Sequence, residues 1–164
     1  MKLLLFVLSL LCIPLNAQPL WGGTVKGMTP EEVLSRVDGA RAIKYGGDTA
    51  AEGRKELVRL DDLRIENEPF QVRFYFKGNS LSLVSLVLST RVTETMGVRI
   101  FEKLSNALRA KYGDEHSRSV DSRFASATWL GKDNLRVSLI YVISMTDQVC
   151  ITYQNESLER NDKL

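Results

Sequence analysis

The sequence predicts an α+β domain: two helices packed on a mostly antiparallel sheet, with a helix followed by a strand meander occurring twice. Three observations carry this. Thr29-Pro30-Glu31-Glu32 opens a helix with its own capping residues. Phe101, Leu104, Leu108 and Tyr112 recur at helical spacing. Around these segments, runs such as Phe70–Phe76 and Leu135–Ile143 alternate apolar and polar residues with period two.

In chain order, Lys2 precedes Leu3–Ile13, a run without charge; Pro14 breaks it and Ala17 offers a small residue for cleavage. This is the layout of a secretory signal peptide, too short to span a membrane, with cleavage expected after Ala17. Cys12 follows Leu10 and Leu11 rather than a small residue, so it does not fit a lipidation site. The division expected is a signal peptide over 1–17, one α+β domain over 18–155 with halves at 27–90 and 93–154, and a charged tail over 156–164.

In the first half Thr29 is the N-cap, Pro30 sits at N1 and Glu32 at N3 closes a capping box. Met28 and Val33 bracket it as a hydrophobic staple, and Asp38-Gly39 ends the helix with a residue suited to positive φ. Residues 40–45 read as extended, 46–54 as a polar loop, and 57–65 as a strand disturbed by Asp61-Asp62. Glu66–Pro69 is a turn, Phe70–Phe76 a strand with its even positions apolar, Lys77-Gly78-Asn79 a turn, and Leu81–Leu88 the returning strand.

In the second half Thr93 or Thr95 caps the long helix, Gly97 and Ile100 extend its apolar face, and Gly113 stops it. Arg109 and Lys111 in its last turn complement the helix dipole. Strands follow at about His116–Val120, Phe124–Leu130, Leu135–Ser144 and Val149–Gln154.

Hydrophobic content of 44% and charged content of 26% are those of a folded globular chain. Loss of Lys2 with the leader leaves the charge close to neutral, with basic and acidic residues interspersed as in Glu52-Gly53-Arg54-Lys55-Glu56. That segment reads as solvated surface, and the balance argues against nucleic acid as a partner. Export of Cys12 with the leader leaves Cys150 alone, so the domain has no internal disulfide and must rely on its core. Flanked by Val149 and Ile151, Cys150 reads as a small buried hydrophobe.

The domain has one histidine, His116, which leaves too few ligands for an ordinary zinc site. Neither a Gly-x-Ser-x-Gly elbow nor a phosphate-binding glycine loop is present. Asp114-Glu115-His116 reads as a polar connection, and Asp61-Asp62 with Glu66 and Glu68 as exposed carboxylates. No catalytic, cofactor or metal residue is assigned. Trp21 and Tyr75, the latter opposing the apolar alternation of its strand, are the candidate partner-binding anchors.

Gly27-Met28-Thr29-Pro30-Glu31-Glu32-Val33 resembles the helix-opening motif GM[ST]xxEV of bacterial envelope proteins, including the SmpA/OmlA (BamE) family. Leu108–Gly113, Trp129 and Tyr153 resemble the second half of exported proteins with the same opening. The resemblance implies a periplasmic or secreted location and an envelope role. BamE-type proteins are lipid-anchored through a cysteine just after the signal; none stands there here, so an unanchored product is expected. The helix-then-strands layout is also similar to tandem inhibitor proteins that bind secreted enzymes. The expectation is therefore a non-catalytic exported module that binds a protein or envelope component, without cofactor. An inhibitor or immunity-type protein is the alternative, and a hydrolase using Ser or Asp/Glu the third.

Overall fold

A computed structural model describes residues 18–44, 47–121, 124–142 and 148–155. The expected signal segment 1–17 and the charged tail lie outside the described residues, as do Tyr45 and Ser144 at the ends of two expected strands.

The first helix, α1 (Pro30–Arg36), starts where its capping residues dictate. The Glu32 amide donates to Thr29 Oγ1 at 3.3 Å and the Thr29 amide donates to the Glu32 carboxylate at 2.8 Å. It is shorter than expected, because Val37 is already extended and the chain turns through Gly39 at φ +77°. Of the predicted 40–45 strand only β1 (Arg41–Ala42) is regular, although the Ile43 amide still reaches Leu57 O. The 46–54 loop contains a second short strand, β2 (Thr49–Ala50), and a 3-10 turn over 51–53.

Three long antiparallel strands follow: β3 (Arg54–Ile65), β4 (Glu68–Lys77) and β5 (Ser80–Leu88). The β3–β4 turn tightens to Glu66-Asn67, both at positive φ (52° and 68°), which suits the twist of a two-residue hairpin. Helix α2 (Glu94–Tyr112) is capped by Thr93, whose hydroxyl accepts from the Met96 amide, and ends at Gly113 at φ +84°. The chain closes with β6 (Ser117–Val120), β7 (Phe124–Leu130), β8 (Leu135–Val142) and β9 (Gln148–Asn155). A 3-10 turn at 132–134 links β7 to β8. The element order thus departs from a plain helix-then-meander pair by β2 and the two 3-10 turns.

All named strands join one antiparallel sheet in the order β1-β3-β4-β5-β9-β8-β7-β6, with β2 also on β3. The last strand therefore returns to the middle of the sheet and pairs with β5. Both helices pack on the same face. There Phe70, Val72 and Phe74 of β4, Leu86 of β5, Trp129 of β7 and Tyr141 of β8 are fully buried with Val33 of α1 and Ile100, Phe101 and Leu104 of α2. Burying each such side chain contributes about 1.5–3 kcal/mol. The Trp129 indole N–H donates to Gly113 O at 3.1 Å, which pins the end of α2 to β7. Among the described residues no helix is long and apolar enough to cross a membrane.

Candidate binding face

Among the described residues no helix lies on the other face of the sheet, and strand register decides what it presents. Alternate residues pair straight across seven strands: Arg59 with Arg73, Arg73 with Ser85, Ser85 with Thr152, Thr152 with Ser138, Ser138 with Thr128, and Thr128 with Ser117. A row of hydroxyls thus runs across β5, β9, β8, β7 and β6, with two arginines at its β4–β3 end. Thr128 Oγ1 and Ser138 Oγ lie 3.4 Å apart within it. Beside it runs a more apolar row, Val87 with Cys150 and Cys150 with Ile140.

Two irregularities in β3 shape the arginine end. The register shifts between Glu56 and Val58, so that Glu56 lies opposite Tyr75 on the open face while Val58 lies opposite Phe74 in the core. Glu56 and Arg59 thereby share the open face. A second shift between Leu60 and Leu63 keeps both leucines toward the core and leaves Asp61 beside Gln71. This is the disturbance expected from Asp61-Asp62.

A polar network follows. Arg59 grips Glu56 with two hydrogen bonds of 2.5 and 2.8 Å, and the Asp48 amide donates to the same carboxylate at 3.0 Å. Arg73 donates to Asp48 at 2.6 Å and to Gln71 at 3.1 Å; Gln71 donates to Asp61, which also holds Arg41 at 2.6 Å. Arg54 reaches over the face to Gln154 at 3.4 Å while pairing with Glu52 at 2.7 Å. Burial pushes the Glu56 pKa up, but the Arg59 and Asp48 hydrogen bonds outweigh it and hold the carboxyl below its ordinary value. Arg41 holds Asp61 low in the same way. These two carboxylates stay ionised near neutral pH and are poorly suited to donate a proton.

The sequence reading requires correction at this end. Glu52–Glu56 is not all solvated surface: Glu56 is 2% exposed and the Arg54 side chain 14%. Tyr75 is not a surface anchor either, at 5% exposed, and Leu83, Ser85 and Val87 beside it are similarly covered although none of the described helices lies over them. Trp21 is partly buried on the opposite, helix-bearing side, its ring 6.2 Å from Phe74. The two aromatics therefore do not form one site. The bulge that buries Glu56 is signalled only weakly by sequence, through a strand whose alternation breaks at Leu57-Val58.

The other candidate groups disperse. His116 is exposed just before β6, three strands from Cys150 on β9. Burial pushes the Cys150 thiol up to about 11. Glu115 pairs with Arg109 and Arg118, and Arg118 also reaches Glu102 and lies 5.1 Å from the Phe101 ring centre, tying α2 to edge strand β6. No group of three or more potential metal ligands occurs among the described residues. At one end of the open face is a cavity of about 310 Å³, walled by Gln71, Arg73, Val87, Ser89, Arg91 and Gln148, among others.

No family model, curated protein or solved structure matches the chain.

Proposed function

We propose that this chain is a non-catalytic exported module that binds a protein or another envelope component on the open face of its sheet. The observation that carries the reading is that face: one surface drawn from seven strands, with partly covered apolar side chains, a hydroxyl row and a preordered arginine–carboxylate network. Such a surface offers a broad area with few side chains left to order on association, which lowers the entropy cost of binding. The apolar run behind Lys2 supports export, and the Gly27–Val33 motif supports an envelope setting.

The finer organisation we infer is a pair of matched halves. Each contributes one helix and a meander, β1-β3-β4-β5 and β6-β7-β8-β9, and the two meet antiparallel where β5 pairs with β9. The binding face then belongs to both halves at once.

The test is capture from a periplasmic or culture-fluid fraction by residues 18–164. Ser138→Lys places a charge on the open face, and Met96→Lys one on exposed helix surface. Loss of a partner with Ser138→Lys alone supports the reading. A captured enzyme that loses activity identifies an inhibitor. Equal capture by both variants, or a hydrolytic activity abolished by His116→Ala, overturns it.

A further inference from the structure

We propose that the cavity at the end of the open face is a socket for a carboxylate group, and this rests on the reading of that face as the binding surface. Val87 and Leu88 contribute to its lining, and the rest is rich in hydrogen-bond donors: Gln71, Arg73, Ser89, Thr90, Arg91 and Gln148. Among the described residues two arginines and no aspartate or glutamate line it. The acids stand one step behind. Asp61 accepts from the Gln71 amide, and Gln71 and Asp48 hold Arg73 by its Nε and Nη1. Arg73 is thus fixed in place before any ligand arrives.

Arg91 differs from the other arginines around this face. It is exposed on the loop between β5 and α2, and among the described residues its side chain has no ion-pair or hydrogen-bond partner. A planar guanidinium with both edges open is matched by a carboxylate, which it can take in two parallel hydrogen bonds. A cavity of about 310 Å³ is at the small end of ligand pockets, so it suits a group of amino-acid size rather than a polymer. The chemistry is shared by an acidic side chain and a chain-terminal carboxylate.

Four probes separate these sources in an amide NMR titration of residues 18–164. N-acetyl-glutamate amide carries only a side-chain carboxylate, N-acetyl-glutamine only a terminal one, N-acetyl-glutamine amide neither, and inorganic phosphate is the fourth. Saturable shifts at residues 71, 73, 87–91 and 148 with one or both carboxylates, and none with the neutral amide, are expected. Arg91→Ala weakens that binding at least about tenfold, through loss of its charge-assisted hydrogen bonds, and Arg91→Lys restores part of it. Phosphate binding tighter than either carboxylate, no saturable shift, or unchanged affinity in Arg91→Ala overturns the socket. If Arg91→Ala binds no carboxylate more weakly yet the chain still captures a partner through Ser138, the socket fails and the binding face stands. Carboxylate binding without any captured partner is the converse.

Discussion

Gly97 of α2 lies directly against the ring of Tyr141 on β8: a β-carbon at Gly97 would sit 2.6 Å from Tyr141 Cε2 and closer still to Cζ and the hydroxyl. The same hydroxyl donates to Glu94 O at 3.3 Å, so the ring is held from two sides. This contact sets how near α2 approaches the sheet, and it opposes local helix propensity. Gly97→Ala would gain about 1 kcal/mol from propensity alone. Overpacking against a fully buried ring costs about 1–3 kcal/mol, and with the ring fixed the upper part of that range applies. The expected net is a loss of about 1–2 kcal/mol, read as a lower urea midpoint with unchanged slope. Gly97→Ala with Tyr141→Leu should recover part of it; a stabilised Gly97→Ala alone would show that the helix stands further off.

Glu56 is the buried charge on which the arginine end of the open face is organised. Its removal leaves Arg59 without its bidentate partner and the Asp48 amide without its acceptor. Glu56→Ala should cost about 3 kcal/mol, the usual penalty for breaking a buried pair from one side. Replacing both, Glu56→Leu with Arg59→Met, should cost much less, because no uncompensated charge remains. Chemical denaturation of Glu56→Leu, Arg59→Met and the double variant, alongside Glu56→Ala, checks this as a double-mutant cycle.

Acid sensitivity should trace in part to Glu115. Its carboxyl falls from an ordinary 4.5 to about 2, chiefly through the hydrogen bond from Arg109. Because the folded-state value is the lower one, the contribution is complete above pH 4.5 and is lost as pH falls from there toward 2. Glu115→Gln should therefore flatten the fall of the urea midpoint across that window while leaving its behaviour above pH 6 parallel to the parent. An unchanged acid limb would mean that the Arg109–Glu115–Arg118 cluster adds nothing to stability.

Much of this architecture was legible in the chain because local chemistry wrote it. The Thr29 capping box, the Thr93 cap, the Gly113 stop and the alternation of Phe70–Phe76 each act within a few residues, and each element formed where they stand. The placement of β9 at the centre of the sheet depends on pairing with β5, 63 to 71 residues away, which no local pattern encodes. Tyr75 was misread for a related reason. Alternation gives the face of a strand but not how covered that face is, and here Glu56 lies directly opposite Tyr75 and Arg73 hydrogen-bonds with it. Glu56 was hidden within a charged run whose meaning changed once a bulge set it on the open face beneath Arg59 and the Asp48 amide.

Cys150 provides a test of whether the open face carries reactive chemistry. A thiol pushed from 9.0 to about 11 by burial alone has, among the described residues, no neighbouring cation that holds its thiolate. At pH 8 the thiolate fraction then falls about a hundredfold below that of a free thiol, since two units separate the values. Native residues 18–164 should accordingly react with an aromatic disulfide reagent at least that much more slowly than the same chain in concentrated urea. Prior addition of a captured partner should slow the native rate further, because Cys150 stands between Val87 and Ile140 on the proposed binding face. Rapid native labelling would instead mark Cys150 as an activated group and return a nucleophilic mechanism to consideration.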